Sequence, residues 1–292
     1  MTQAEVHSAT QDDVIRGPFR PVQNPNAELG SGSIHDQATA QKLGFRGGTV
    51  AGSNHMDLFP PLALEAFGQH WWESGSLSLY FRNATLDREP VSASVRRPSR
   101  STNTQVDAWV HRDDGLLVAE GSLGVGQTGE PTALQRIPLE DIDPSGMKIL
   151  ANIAPGTPIP AQGIVYSSAK HRERLAIITE PHAWYEGDSP WGGPIVTPCG
   201  MEHVLYAAPV AYLRGKISDS VGLFGAIELI NLNGPLLVDT PYSVEGSVLA
   251  VGQSPKTEFF WFETTASDTS GKAIAKMRML LRFMKASSKL YE

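Results

Sequence analysis

A single internal correspondence constrains this chain more than any other feature. Phe45-Arg-Gly-Gly-Thr-Val-Ala-Gly52 enters a helix-compatible stretch, and Trp191-Gly-Gly-Pro-Ile-Val-Thr-Pro198 enters another. Both ends of the pair are separated by 146 positions (191 − 45 and 198 − 52). Later, Asp114-Gly115 precedes the last strand candidate of the first half as Ser270-Gly271 does in the second. Order, element type and loop placement repeat together, so the chain reads as an internal duplication. With 292 residues there is room for two ordinary domains, each able to bury a core.

Within each half a helix precedes a run of strands. Residues 1–33 form a Gly-, Pro-, Asn- and Ser-rich arm with a short strand at Asp13–Arg16. A helix is expected over Asp36–Leu43, stopped by Gly44. A second runs from Gly52 to Phe67 with Met56, Phe59, Ala63 and Phe67 near one face and a kink or restart at Pro60-Pro61. Strand periodicity follows at 76–83, 91–97, 105–111 and 116–125. The second half offers a strand at 163–168, helices at 170–178 and 198–213, and strands at 222–231, 242–251, 258–265 and 273–284. The expected class is therefore α+β, a helix packed on an antiparallel sheet, twice. The expected divisions are 1–126, a linker over 127–160, and 161–292.

Composition excludes several functions. The net charge of −7 offers no basic face for general nucleic-acid binding. Cys199, the single cysteine, forbids an intramolecular disulfide and fits a reducing cytoplasm. No apolar run reaches the roughly 20 residues of a membrane span, and the polar start lacks a signal-peptide core. The histidines and lone cysteine show no metal-ligand spacing, so neither a metal nor a resident cofactor is expected.

The segment Ile34-His-Asp-Gln-Ala-Thr-Ala-Gln-Lys-Leu-Gly-Phe-Arg-Gly-Gly-Thr-Val-Ala-Gly52, continued by Gly75-Ser-Leu-Ser-Leu-Tyr-Phe-Arg-Asn83, resembles the signature region of MaoC-like hydratases and dehydratases. The resemblance covers about residues 33–98 and is only architectural beyond them. It implies a tandem, or double, hotdog fold, two antiparallel sheets each wrapping a central helix, with any active site at the junction of the halves. It implies reversible hydration of a double bond conjugated to a carbonyl, in an enoyl-CoA or a related small molecule, with coenzyme A present only as part of the substrate. A homodimer is compatible with such a fold. The resembled enzymes carry an Asp-x-Asn-Pro-Ile/Leu-His motif. Here Gly30 stands at the Asp position and Ser33 at the Pro position when counted back from His35, while alignment from Phe45 places the His position on Ile34.

An imidazole suits the proton shuttle that such chemistry needs, so His35 leads the catalytic candidates. Asp36 either orients it or caps the following helix. The resembled family places an oxyanion hole at Gly52 and Ser53. Asn54 and His55 follow in the same turn, able to face a pocket or to satisfy the helix end. In the second half His182 and Tyr185, within Glu180–Asp188, occupy the place of Ile-His-Asp; Tyr166 and His171 are weaker candidates. Arg96-Arg97-Pro-Ser-Arg100 and Lys170-His-Arg-Glu-Arg174 are either phosphate contacts or solvated surface. Two other functions stay open. A thioesterase would use a carboxylate near the central helix, Asp57 or Glu65, and a non-catalytic hotdog would serve as a binding module or partner subunit.

Overall fold

The computed structural model describes residues 13–27, 32–99, 104–126, 130–140, 142–217 and 220–292. Gly30 and Arg100 lie outside them. In the first half come β1 (Val14–Arg16), β2 (Arg20–Pro21), α1 (Gln37–Lys42), α2 (Gly52–Met56), α3 (Pro60–Phe67), α4 (His70–Ser74), β3 (Gly75–Phe81), β4 (Pro90–Arg96), β5 (Gln105–Arg112) and β6 (Leu117–Val125). The second half contributes β7 (Pro158–Val165), α5 (Ser168–Leu175), α6 (Ala183–Glu186), α7 (Pro198–Leu205), α8 (Ala207–Leu213), β8 (Gly222–Asn231), β9 (Pro241–Gln253), β10 (Thr257–Ser267) and β11 (Ala273–Met284).

All strands join one sheet in the order β1-β4-β5-β6-β3-β8-β11-β10-β9-β7, with β2 beside β4. The halves meet where β3 pairs antiparallel with β8, from Ser76 opposite Ile230 to Tyr80 opposite Ala226. Alternation decides which face each strand residue serves. Leu77 and Leu79 join the inner core with Met56, Phe59 and Leu62 of the central helical segment and Val204 and Leu205 of α7. On the outer face Ser78 and Ser122 accept hydrogen bonds from the backbone of Leu134 and Ala133. Leu134 there packs with Ala226, Ala250, Trp261 and Leu280. The first part of the connecting segment therefore covers the outside of the sheet, while Ile149, Leu150 and Ile153 further along join the inner core.

The central helix breaks where prolines dictate. Pro60 and Pro61 sit at the first helical positions of α3, where an N–H has no intrahelical partner to lose. In the second half the expected helix divides at Tyr206 into α7 and α8. One expected strand is displaced: β7 covers Pro158–Val165, not 163–168. Its two prolines masked it in the sequence. They are tolerated because β7 is an edge strand with an irregular register between Ile159 and Gln162. Among the described residues no helix is long and apolar enough to cross a membrane.

The duplication extends to single hydrogen bonds. Thr49 bridges Leu86, and Ile195 bridges Leu237. Val50 N–H donates to Thr85 O at 2.9 Å, as Val196 N–H does to Leu236 O at 2.9 Å. Arg88 and Asp239 hold left-handed backbone angles in matching turns, φ 59° and 55°. Their N–H groups donate to Val22 O and Tyr166 O.

Candidate active site

A cavity of about 160 Å³ opens at the start of α2 in the first half. Ile34, His35, Phe45, Thr49–Gly52, His55, Phe81 and Thr85 line it, and Gly222, Leu223 and Phe224 close it from β8 of the second half. The site thus lies at the junction of the two repeats.

His35 is fixed through its backbone and one ring nitrogen. Its carbonyl accepts from Asn24 Nδ2 at 3.1 Å and its N–H donates to Ser33 Oγ at 3.2 Å. Nδ1 lies 2.7 Å from the Thr49 carbonyl oxygen. A carbonyl only accepts, so Nδ1 carries the hydrogen in the neutral ring and Nε2 keeps its lone pair. Among the described residues Nε2 has no partner. Thr49 gets this close because Gly48 has no side chain: a Cβ there would stand 2.4 Å from His35 O.

His55 shares the cavity. It is 2% exposed, and burial pushes its pKa down to about 4, so the ring is neutral near pH 7. Nε2 is 2.9 Å from Thr85 Oγ1, and Nδ1 has no partner among the described residues. Gly52 begins α2, whose N-cap residue Ala51 supplies no capping side chain. A Cβ on Gly52 would meet the Phe81 ring at 2.6 Å, so glycine here keeps the cavity open. Neither aspartate nor glutamate lines it.

The other candidates fall elsewhere. Asp36 caps α1, accepting from Thr39 N at 2.8 Å, and the Thr39 hydrogen bonds hold its carboxyl below the ordinary range. Ser53 and Asn54 face away from the cavity, toward α5 and α7. There Asn54 Oδ1 accepts from Arg174 at 2.8 Å, and Ser53 Oγ lies 3.6 Å from Cys199 Sγ. Asp57 is consumed by the same contact: Oδ2 binds Arg174 at 2.7 and 2.6 Å, and Oδ1 accepts from Cys199 N at 2.8 Å. Glu65 is a surface partner of Arg97 at 2.8 Å. His182 caps α6 by accepting from Trp184 N and packs among Trp72, Trp184 and Tyr185. Burial pushes the Cys199 thiol up to about 12, leaving it un-ionised near neutral pH.

Several described members of the two basic clusters are already paired. Arg96 and Arg97 are paired with Asp107 and Glu65, Lys170 lies 2.6 Å from His203, and Arg174 is buried on Asp57. Among the described residues no group of three or more His, Cys, Asp or Glu is arranged to hold a metal ion.

The second half repeats the pocket and closes it. A void of about 20 Å³ remains, lined by Trp71, Trp72, Pro198, Met201 and Leu236. Met201 stands where the repeat places His55, and Pro198 where it places Gly52. Leu236, by its hydrogen bond with Val196, replaces Thr85. The bond from Ile195 N to Trp184 O matches that from Thr49 N to Ile34 O, so Tyr185 rather than His182 takes the place of His35. Applying the 146-residue offset to His55 reveals its loss in the second half from sequence alone. Thr85 carries no such signal, because only the return of the chain after β3 brings it to His55.

This architecture is a double hotdog, two helix-on-sheet units fused through one continuous antiparallel sheet. Solved structures share it over nearly the whole chain. A protein described as a MaoC-domain dehydratase of Chloroflexus aurantiacus aligns with TM-score 0.61 at 10% identity, over 93% of this chain and 94% of its own. A conserved hypothetical double-hotdog protein of Mycobacterium tuberculosis aligns with TM-score 0.60 at 11% identity, over 93% and 96%. A MaoC-like dehydratase aligns with TM-score 0.57 at 10% identity, over 93% and 98%. At such identities the likeness establishes the fold alone. No family model and no curated protein matches the sequence.

Proposed function

We propose that the chain is a hydro-lyase adding water to, or removing it from, a double bond conjugated to a carbonyl. The observation that carries this reading is the tautomer of His35. With Nδ1–H held on the Thr49 carbonyl, Nε2 keeps its lone pair on a ring that lines a cavity without carboxylates. In the hydration direction Nε2 takes a proton from water as the oxygen adds to the β-carbon. The electron pair of the double bond moves to the carbonyl oxygen, where the Gly52 N–H and the His55–Thr85 pair are the available neutral donors. The imidazolium then returns the proton to the α-carbon, so one water is added in all. Such acid–base work contributes typically 10²- to 10⁴-fold to a rate. The substrate in this reading is an enoyl thioester of coenzyme A or a related small molecule. A cytoplasmic homodimer belongs to the same proposal. The fold likeness to proteins described as dehydratases supports it as analogy.

A thioesterase finds less support. Both of its expected carboxylates are engaged elsewhere, Asp57 on Arg174 and Cys199, and Glu65 on Arg97.

The test is crotonyl-CoA with purified protein, following enoyl absorbance and free thiol together. Loss of absorbance without thiol, abolished in a folded His35→Ala variant, is the expected result. Thiol release indicates hydrolysis and overturns the proposal. Full hydratase activity in His35→Ala would overturn the role given to His35.

A further inference from the structure

Three buried polar atoms with no hydrogen-bond partner among the described residues belong to neighbouring side chains: Trp72 Nε1, His171 Nδ1 and Tyr185 OH. Their residues are 2%, 4% and 2% exposed, so bulk solvent does not satisfy them. Trp72 stands edge-on to Tyr185 with ring centroids 6.0 Å apart, and Tyr185 to His171 at 6.4 Å. Native interiors seldom leave one such group unbonded. Three on adjoining rings call for a shared partner.

The chemistry of the three atoms is complementary. His171 Nε2 lies 2.7 Å from the Tyr185 carbonyl oxygen, so Nε2 bears the hydrogen and Nδ1 is an acceptor. The Trp72 indole only donates, and the Tyr185 hydroxyl does both. A partner must therefore accept from the indole, donate to the imidazole and exchange with the phenol. Water does all three. Burial keeps both His171 and Tyr185 in their neutral forms, so neither side chain supplies a charge to pair with an ion.

We infer that one internal water is bonded by Trp72 Nε1, His171 Nδ1 and Tyr185 OH, in the place that the repeat gives to the reactive His35 in the first half. Trp72 comes from α4 of the first half, while His171 and Tyr185 come from α5 and α6 of the second. The water therefore ties the two repeats together.

A crystal structure of the full chain showing ordered solvent tests this directly. A water peak within about 3.2 Å of at least two of the three atoms is expected. Tyr185→Phe and Trp72→Phe should each lower Tm, and the double variant by less than the sum, because both act through one water. An empty site, or two neutral variants, overturns the inference. Should Trp72→Phe fail to fold, water-to-indole nuclear Overhauser effects at the Trp72 N–H of the wild-type chain decide it. A long-lived water signal supports the site, and its absence overturns it.

Discussion

Gly48 and His35 meet backbone to backbone, so close that a Cβ on Gly48 would fall 2.4 Å from the His35 carbonyl oxygen. The next residue, Thr49, supplies the carbonyl that fixes the His35 ring. One glycine thus sets both the position and the tautomer of the His35 ring. Gly48→Ala must push these segments apart, at a cost of about 1–3 kcal/mol. Urea unfolding should show that loss, and crotonyl-CoA hydration should fall by at least tenfold in the fraction still folded.

The Asp57–Arg174 pair is buried behind the cavity, its side chains 6% and 10% exposed. Removing the cation alone in Arg174→Met leaves a buried carboxylate unpaired, at a cost of about 3–5 kcal/mol. Adding Asp57→Asn removes the charge yet keeps an acceptor for Cys199 N–H. The double variant should recover at least half of the loss, as measured in a double-mutant cycle by chemical denaturation. A loss in the double variant equal to the sum of the two single losses would show that the pair contributes no coupling.

Glu202 makes stability depend on pH. Burial raises its carboxyl from 4.5 to about 7, against a smaller opposing effect of Ser53. In the folded state it stays protonated where the unfolded chain has already ionised. Its contribution is complete below pH 4.5 and is lost as pH rises to about 7, on the order of 3 kcal/mol. His55 acts in the opposite sense: its pKa falls from 6.5 to about 4, so its contribution is present above pH 6.5 and lost as pH falls toward 4. The difference between wild type and Glu202→Gln isolates the first effect. The variant should gain stability relative to wild type steadily between pH 4.5 and 7 and stay ahead above it.

Glu258 anchors the later part of the connecting segment on the inner face of the sheet, where Ile149 and Leu150 join Phe260 and Phe262 in the core. Its oxygens accept from the N–H groups of Lys148, Ile149 and Leu150 at 2.6, 3.0 and 2.7 Å, and from the Tyr291 hydroxyl. Burial alone would raise this carboxyl, but the Tyr291 and backbone hydrogen bonds outweigh it and hold it below its usual value. Its stabilisation is therefore present above the unfolded pKa and lost as pH falls through the folded one. Glu258→Gln should cost about 2–3 kcal/mol near neutral pH. Limited proteolysis should find new cuts between 143 and 157.

Much of the fold was legible because its signals are local. Proline position predicted the restart at α3, and period-two alternation placed β8 and β11 with their observed limits. Less of the site was legible. His35, Gly52 and His55 emerged from residue type and motif, and the structure brings all three to one cavity. Asp36 and Ser53 sit as close in sequence and face elsewhere, because each depends on whether a cap or another helix claims the side chain. Thr85 and Phe224 were invisible, since they reach the cavity only through the return after β3 and the pairing of the two halves.

The sequence by itself determined the duplication, the helix-then-strands order and the glycines that let loops approach, since each is written in side-chain period or in a missing Cβ. Tertiary structure decided which repeat kept a cavity and which nitrogen of the His35 ring is held by a carbonyl. It also decided that Tyr185, not His182, answers to His35. The physical reason is that His35 is set by a backbone carbonyl, which every residue possesses and no sequence pattern marks. Only the folded chain brings the Thr49 oxygen to within 2.7 Å of that ring.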